Sequence, residues 1–254
     1  MKSHFPKLIA FLILFSFCGS GSFAQEEGSG QLWFCWEATV NPALEDEFID
    51  LQVEFRTHFK EANFPYLISA WTDGAFHYYI FYPVKDYNEK DDVYAALWKA
   101  ADLWGMDQAN KMWETVETHT TFFIRYIPEL SYVPANPRLK GSETNYAVWD
   151  MFFVDPAKDA EFRLQAKKFT EMVRSVGFGD AINLMMGDIG YDGTAYLWTL
   201  YGKSAGDFWT ENEKLWEKLG EEGQKLSQET LSLLKRREFR QFWYVESLSY
   251  EPED

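Results

Sequence analysis

Apolar residues recur at helical spacing in two stretches of the chain. Leu44, Phe48, Leu51, Phe55 and Phe59 share one face, and Phe162, Ala166, Phe169 and Val173 repeat the arrangement further on. Both stretches begin alike. "VNPALEDEF" from Val40 and "VDPAKDAEF" from Val154 agree at five of nine positions at an offset of 114 residues. Asn41 and Asp155 suit the N-cap, because a side-chain oxygen accepts from the free N–H groups of the first turn. Pro42 and Pro156 stand at the first helical position, where a missing N–H costs nothing. Glu45, Asp46 and Glu47, then Asp159 and Glu161, suit the positive end of the helix dipole.

Short aromatic and β-branched runs surround these helices and predict strands. "LWFCWEATV" and "NYAVWDMFFV" precede them, "YLISAW" and "AINLMM" follow, and "FHYYIFY" and "AYLWTLY" come after a turn. A second helical region is predicted from about Asp91 to Glu117, and again from about Asp207 to Leu234. Gly105 and Gly223 fall inside these regions and are expected to kink or break them. "TFFIRYI" and "FRQFWYV" close each copy, and the endings "YIPELSYVP" and "YVESLSYEP" again share five of nine positions. Each copy therefore reads β-α-β-β-α-β, the order of a ferredoxin-like sheet with two helices on one face. The first repeat is set at 25–135 and the second at 145–254. The polar, breaker-rich segment 136–144 is read as a linker.

A sheet covered on one side alternates apolar and polar residues. These strands are apolar at nearly every position, so both faces are expected to be covered, one by helices and the other by the partner repeat. The element order and this double burial resemble the dimeric α+β barrel superfamily, with both halves in one polypeptide. The predicted fold is α+β: two tandem ferredoxin-like repeats forming a pseudo-symmetric barrel. The resemblance implies antibiotic-biosynthesis-type monooxygenases, haem-degrading enzymes, chlorite dismutases, isomerases and stress-response proteins as relatives in fold, so fold alone decides little about activity. Haem-degrading members use an Asn, a Trp and a helix-borne His, and chlorite dismutase-like members a proximal His. His58, His77 and His119 fall in no matching motif, so no family residue is carried over. No cofactor is predicted; haem would need one of these three as its axial ligand.

The first 24 residues resemble a secretory signal: a basic start, the apolar run "LIAFLILFSFC", and small residues up to Ala24. Cys18 follows Phe17, where a lipoprotein signal has a small residue, so simple cleavage and export to a periplasm or beyond are expected. Cleavage removes two of the 24 basic residues and none of the 40 acidic ones, moving the formal charge from −16 to −18. Such a field repels phosphate backbones and anionic lipid, which argues against nucleic acid and membrane partners. No further apolar run is long enough for membrane insertion. Only Cys35 then remains, so no disulfide within the chain is expected, and stability must come from a core that is 46% hydrophobic and 19% aromatic in composition. A barrel closed within one chain is expected to be a monomer.

Candidate chemistry is sought where polar residues interrupt apolar strands. Glu37, His77 and Arg125 do so in the first repeat and are the candidate catalytic group. In a ferredoxin-like sheet their strands are adjacent, so a Glu37–Arg125 pair with His77 beside it is expected if they share a face. His77 would then serve as acid or base near neutral pH. Trp36, Tyr79, Asp150 and Arg240 are the candidates to contact a ligand. Asp150 and Arg240 have the opposite strand parity to Glu37 and Arg125, so the repeats are expected to differ in their sites. Glu54 and His58, four residues apart, lack a third ligand and are read as boundary residues, so no metal site is predicted. No phosphate loop, dinucleotide fingerprint or hydrolase motif occurs. The expected function is binding of a small apolar or aromatic molecule in the barrel, with cofactor-independent oxidation or isomerisation as its chemistry. The alternative is a non-catalytic interaction protein whose second repeat completes the core.

Overall fold

The structure is a computed structural model and describes residues 30–252. The expected leader, Cys18 and the cleavage point at Ala24 lie outside the described residues. In the first repeat the elements are β1 (Leu32–Val40), α1 (Glu45–Thr57), the short α2 (Phe59–Ala62), β2 (Ser69–Thr72), β3 (His77–Val84), α3 (Glu89–Trp104), α4 (Met106–Glu114) and β4 (Val116–Tyr126). The second repeat has β5 (Tyr146–Val154), α5 (Asp159–Ser175), β6 (Ile182–Gly187), β7 (Thr194–Gly202), α6 (Ala205–Leu231) and β8 (Leu234–Tyr244).

The doubled stretch folds alike in both copies. The Asn41 and Asp155 carboxamide and carboxylate oxygens accept from the backbone N–H of Ala43 and Ala157, at 2.9 and 3.1 Å. Each proline opens a short 3-10 turn, Pro42–Leu44 or Pro156–Lys158, that leads into the α-helix. The prolines thus stand one turn earlier than the first α-helical residue. A break does fall at Gly105, whose φ of 106° separates α3 from α4. In the second repeat the kink is at Gly220 (φ 56°, ψ −148°) and not at Gly223, which lies within the helical run of α6. Only a residue without a Cβ adopts the Gly220 conformation freely.

The eight strands close into one antiparallel barrel in the order β1-β3-β2-β8-β5-β7-β6-β4. Within a repeat the order is that of a ferredoxin-like sheet. Between repeats, edges pair: Ile124, Arg125 and Tyr126 of β4 face Gly187, Met186 and Met185 of β6, and Trp71 and Thr72 of β2 face Tyr244 and Trp243 of β8. The inward faces meet in one core, where Trp149 of the second repeat lies against Phe81, Phe122 and Phe242 with ring centroids 4.8–6.5 Å apart. The outward faces carry separate cores under the helices of each repeat. Double burial explains why these strands lack alternation, and the second copy covers aromatic surface that the first would otherwise expose.

Between the repeats, Arg138 holds two second-repeat carboxylates at once. Its Nε and Nη2 donate to Asp180 at 2.7–3.1 Å, and Nη1 and Nη2 donate to Asp207 at 2.7 and 2.9 Å. Among the described residues no helix is long and apolar enough to cross a membrane.

Candidate functional site

Strand parity decides where the predicted residues go. Glu37 follows Trp33 and Cys35 on the inward face of β1, so its carboxylate enters the barrel. There Arg240 of β8 reaches it across the barrel at 3.4 Å and donates to the Tyr79 hydroxyl at 3.2 Å. Burial pushes the Tyr79 phenol well above its ordinary pKa, and the neighbouring Glu37 carboxylate adds to this. Glu37, Tyr79 and Arg240 therefore form one cross-repeat cluster.

Arg125 does not join it. It stands opposite Leu32 on β1, whereas Glu37 stands opposite Thr120, and it faces outward. Its Nη2 donates to the Tyr87 hydroxyl at 3.0 Å and lies 3.8 Å from Asp188. The expected Glu37–Arg125 pair is thus replaced by Glu37–Arg240. His77 lies at the barrel rim, and its Nδ1 bonds Asp73 at 2.7 Å rather than Glu37. Trp36 points outward, with Trp113 at 6.0 Å and His119 at 6.4 Å between ring centroids. Asp150 also points outward, on β5, where Arg237 grips it through Nε and Nη2 at 2.7 and 2.6 Å.

The barrel interior at this level is filled with aromatic rings. A cavity of about 540 Å³ lies elsewhere, between the outward face of the second-repeat sheet and helices α5 and α6. Comparing the two copies explains it. At the offset of 114, Phe34 and Trp36 of β1 become Val148 and Asp150 of β5. The matching endings set an offset of 118 for the closing strands, so Trp113 and His119 become Leu231 and Arg237. In the first repeat Trp36, Trp113 and His119 pack together. In the second, Leu231 and the Asp150–Arg237 ion pair occupy those places and line the cavity with Val148. Smaller side chains under the kinked α6 leave the space open.

The walls are largely apolar, with Phe152, Phe162, Phe169, Trp198 and Trp216 among them. Trp209 and Phe239, each 45% exposed, stack at 5.7 Å beside the half-exposed Arg237 and form its mouth. Gln165 of α5 replaces Leu51 of α1 in the wall; it is buried, and its Oε1 has no hydrogen-bond partner. Of the predicted residues only Asp150 belongs to this cavity. Reading one copy against the other reveals Gln165 and Arg237; reading each strand alone does not.

No protein-family profile matches the chain, and no curated protein matches it in sequence. Solved structures do match in fold. An anthrone oxidase-like protein aligns over 86% of this chain and 93% of its own at a TM-score of 0.57 and 12% identity. A mutant chlorite dismutase from Candidatus Nitrospira defluvii aligns over 89% and 94%, at 0.57 and 10%. A provisionally assigned monooxygenase from Lactobacillus acidophilus NCFM aligns over 85% and 94%, at 0.53 and 10%. At such identity the likeness is one of fold. Haem, which the resemblance to chlorite dismutases brings into question, does not fit the cavity: its lining contains no His, Cys, Met or Tyr to ligate iron. His58, His77 and His119 all belong to the first repeat.

Proposed function

From the α+β barrel fold as premise, we propose that this protein is exported and binds a small, largely aromatic molecule in the second-repeat cavity. One observation carries the reading. The same layer is packed with aromatic rings in the first repeat and opened in the second into a space of about 540 Å³, with a few placed polar groups. That size and lining match those of small-molecule sites. The location differs from the barrel interior expected from sequence, and the ligand class is the same.

Refilling the space tests the reading. Val148→Phe restores the first-repeat residue at the cavity wall. Titration with naphthalene-type probes, followed through quenching of Trp198, Trp209 and Trp216, is expected to saturate in the wild type. The variant, folded by circular dichroism, is expected to bind at least tenfold more weakly. Equal binding by both, or no saturable binding by the wild type, would overturn the reading.

A second reading extends binding to oxidation, and Asp150 favours it. A carboxylate held by Arg237 in an apolar wall is placed to accept a proton from an activated CH2 group of a bound aromatic ketone. The carbanion would then reduce O2; one oxygen atom stays on carbon as a carbonyl and the other leaves as water with the two hydrogens, so no outside reductant is needed. The fold shared with an anthrone oxidase-like protein supports trying anthrone as the substrate. Oxygen uptake with anthrone is expected from the wild type and is expected to fall at least a hundredfold in Asp150→Asn. Uptake at the uncatalysed rate leaves the protein a binding module, the non-catalytic alternative.

A further inference from the structure

One group in the cavity wall has a need that the protein does not meet. Gln165 is 8% exposed, and its amide oxygen is without a hydrogen-bond partner. A buried amide oxygen left unpaired is costly, so its presence asks for a reason. The first repeat supplies a contrast. Its buried glutamine, Gln52, donates from Nε2 to the Met112 sulfur at 3.0 Å and so has a structural partner. Gln165 has only apolar neighbours on its own helix in the wall, Phe162, Ala166 and Phe169. Of the charged residues in the lining, Asp150 and Arg237 are engaged with each other and Glu238 with Arg236 and Arg240. The oxygen is the amide atom left unpaired, and a half-turn about the last side-chain torsion carries it towards the cavity without moving the rest of the residue.

We propose that Gln165 sets the specificity of this cavity by accepting a hydrogen bond from a hydroxyl or N–H group on the buried end of an aromatic ligand. Among aromatic ligands of one shape, a hydroxylated or N–H-bearing one is then preferred over the plain hydrocarbon or the ether. This rests on the cavity being a ligand site. A site built to pair with a donor discriminates against an analogue of the same shape that lacks it, because the acceptor stays unpaired in that complex. The strongly acidic chain also disfavours an anionic head group, and a neutral donor meets no such repulsion.

The test uses 2-naphthol and 2-methoxynaphthalene, which share a ring system and differ in the O–H donor. Both are titrated calorimetrically against the wild type, Gln165→Leu and Gln165→Met. Leucine is the first-repeat residue at this position, and methionine keeps the unbranched length, so the two variants guard against a local packing artefact. The wild type is expected to prefer 2-naphthol by about tenfold. In both variants the preference is expected to fall within about twofold, with 2-methoxynaphthalene binding retained. Equal wild-type affinity for the two probes overturns the assignment to Gln165 and leaves the cavity reading intact. A tenfold preference that survives in both variants does the same. Failure of the wild type to bind either probe overturns the cavity reading and this assignment with it.

Discussion

Arg138 shows what a single side chain contributes where two carboxylates converge. Asp180 is buried, and removing Arg138 takes away the guanidinium that its carboxylate accepts from. Arg138→Ala is expected to cost about 2–3 kcal/mol in urea unfolding, since an uncompensated charge costs more than the lost bond itself. The Arg138 hydrogen bond also holds the Asp207 carboxyl below its ordinary pKa. A carboxyl depressed in the folded state stabilises above its unfolded pKa, near 4, and loses that contribution as pH falls through the folded value. The gap between wild type and variant is therefore expected to be full at neutral pH and to narrow below about pH 4. A gap that stays constant on acidification would mean that the pair contributes nothing through charge. Glu37 marks the limit of sequence reading at this scale. That it needs a cation is legible; which cation is not. In strands buried on both faces the hydropathy contrast between inward and outward positions vanishes, so parity alone could not tell Arg240 from Arg125 as its partner.

Among the elements, α6 departs most from its counterpart. The α3–α4 pair breaks cleanly at Gly105, whereas α6 continues through Gly220 with one residue out of helical geometry. A Cβ at Gly220 meets nothing within 4 Å, so Gly220→Ala isolates backbone strain from steric clash. The substitution is expected to lower stability by roughly 1–3 kcal/mol and to weaken probe binding, because relaxing the kink swings the segment carrying Leu226 and Leu231 across the cavity. Unchanged stability would show that alanine is accommodated there and that the kink has another origin. The helix starts were legible because capping is local chemistry written in adjacent residues. The kink position was not, since two glycines lie three residues apart and only tertiary packing selects between them. The cavity was legible in principle, through Trp36 against Asp150 and Leu51 against Gln165, once the copies are compared position by position.

For the whole molecule, closure follows from what a lone repeat would expose. Residues 30–135 alone would present Trp33, Tyr79, Phe81 and Phe122 to water and leave the edges of β2 and β4 unpaired. Expressed alone, this segment is expected to dimerise or aggregate in size-exclusion chromatography. We also propose that the full chain runs as a monomer, its own second repeat taking the place of a partner. A soluble monomeric half would contradict the idea that the copies need each other. The fold class was legible because it depends on element order and double burial, which are spread over many residues and survive local misreadings. Closure has a further consequence, in time rather than in energy. The ladders at the two seams between repeats are unequal: β4 meets β6 over three residue pairs and β2 meets β8 over two, with one isolated bridge, Tyr132–Ile182 or Ile68–Tyr250, beyond each. An opening fluctuation is therefore expected to separate β2 from β8 first, as a zip parts at its shortest run of teeth. In deuterated solvent the backbone amides of that seam are expected to lose their protons ahead of the rest of the wall, which would give the barrel a hinge side and a door side; uniform exchange around the wall would contradict this.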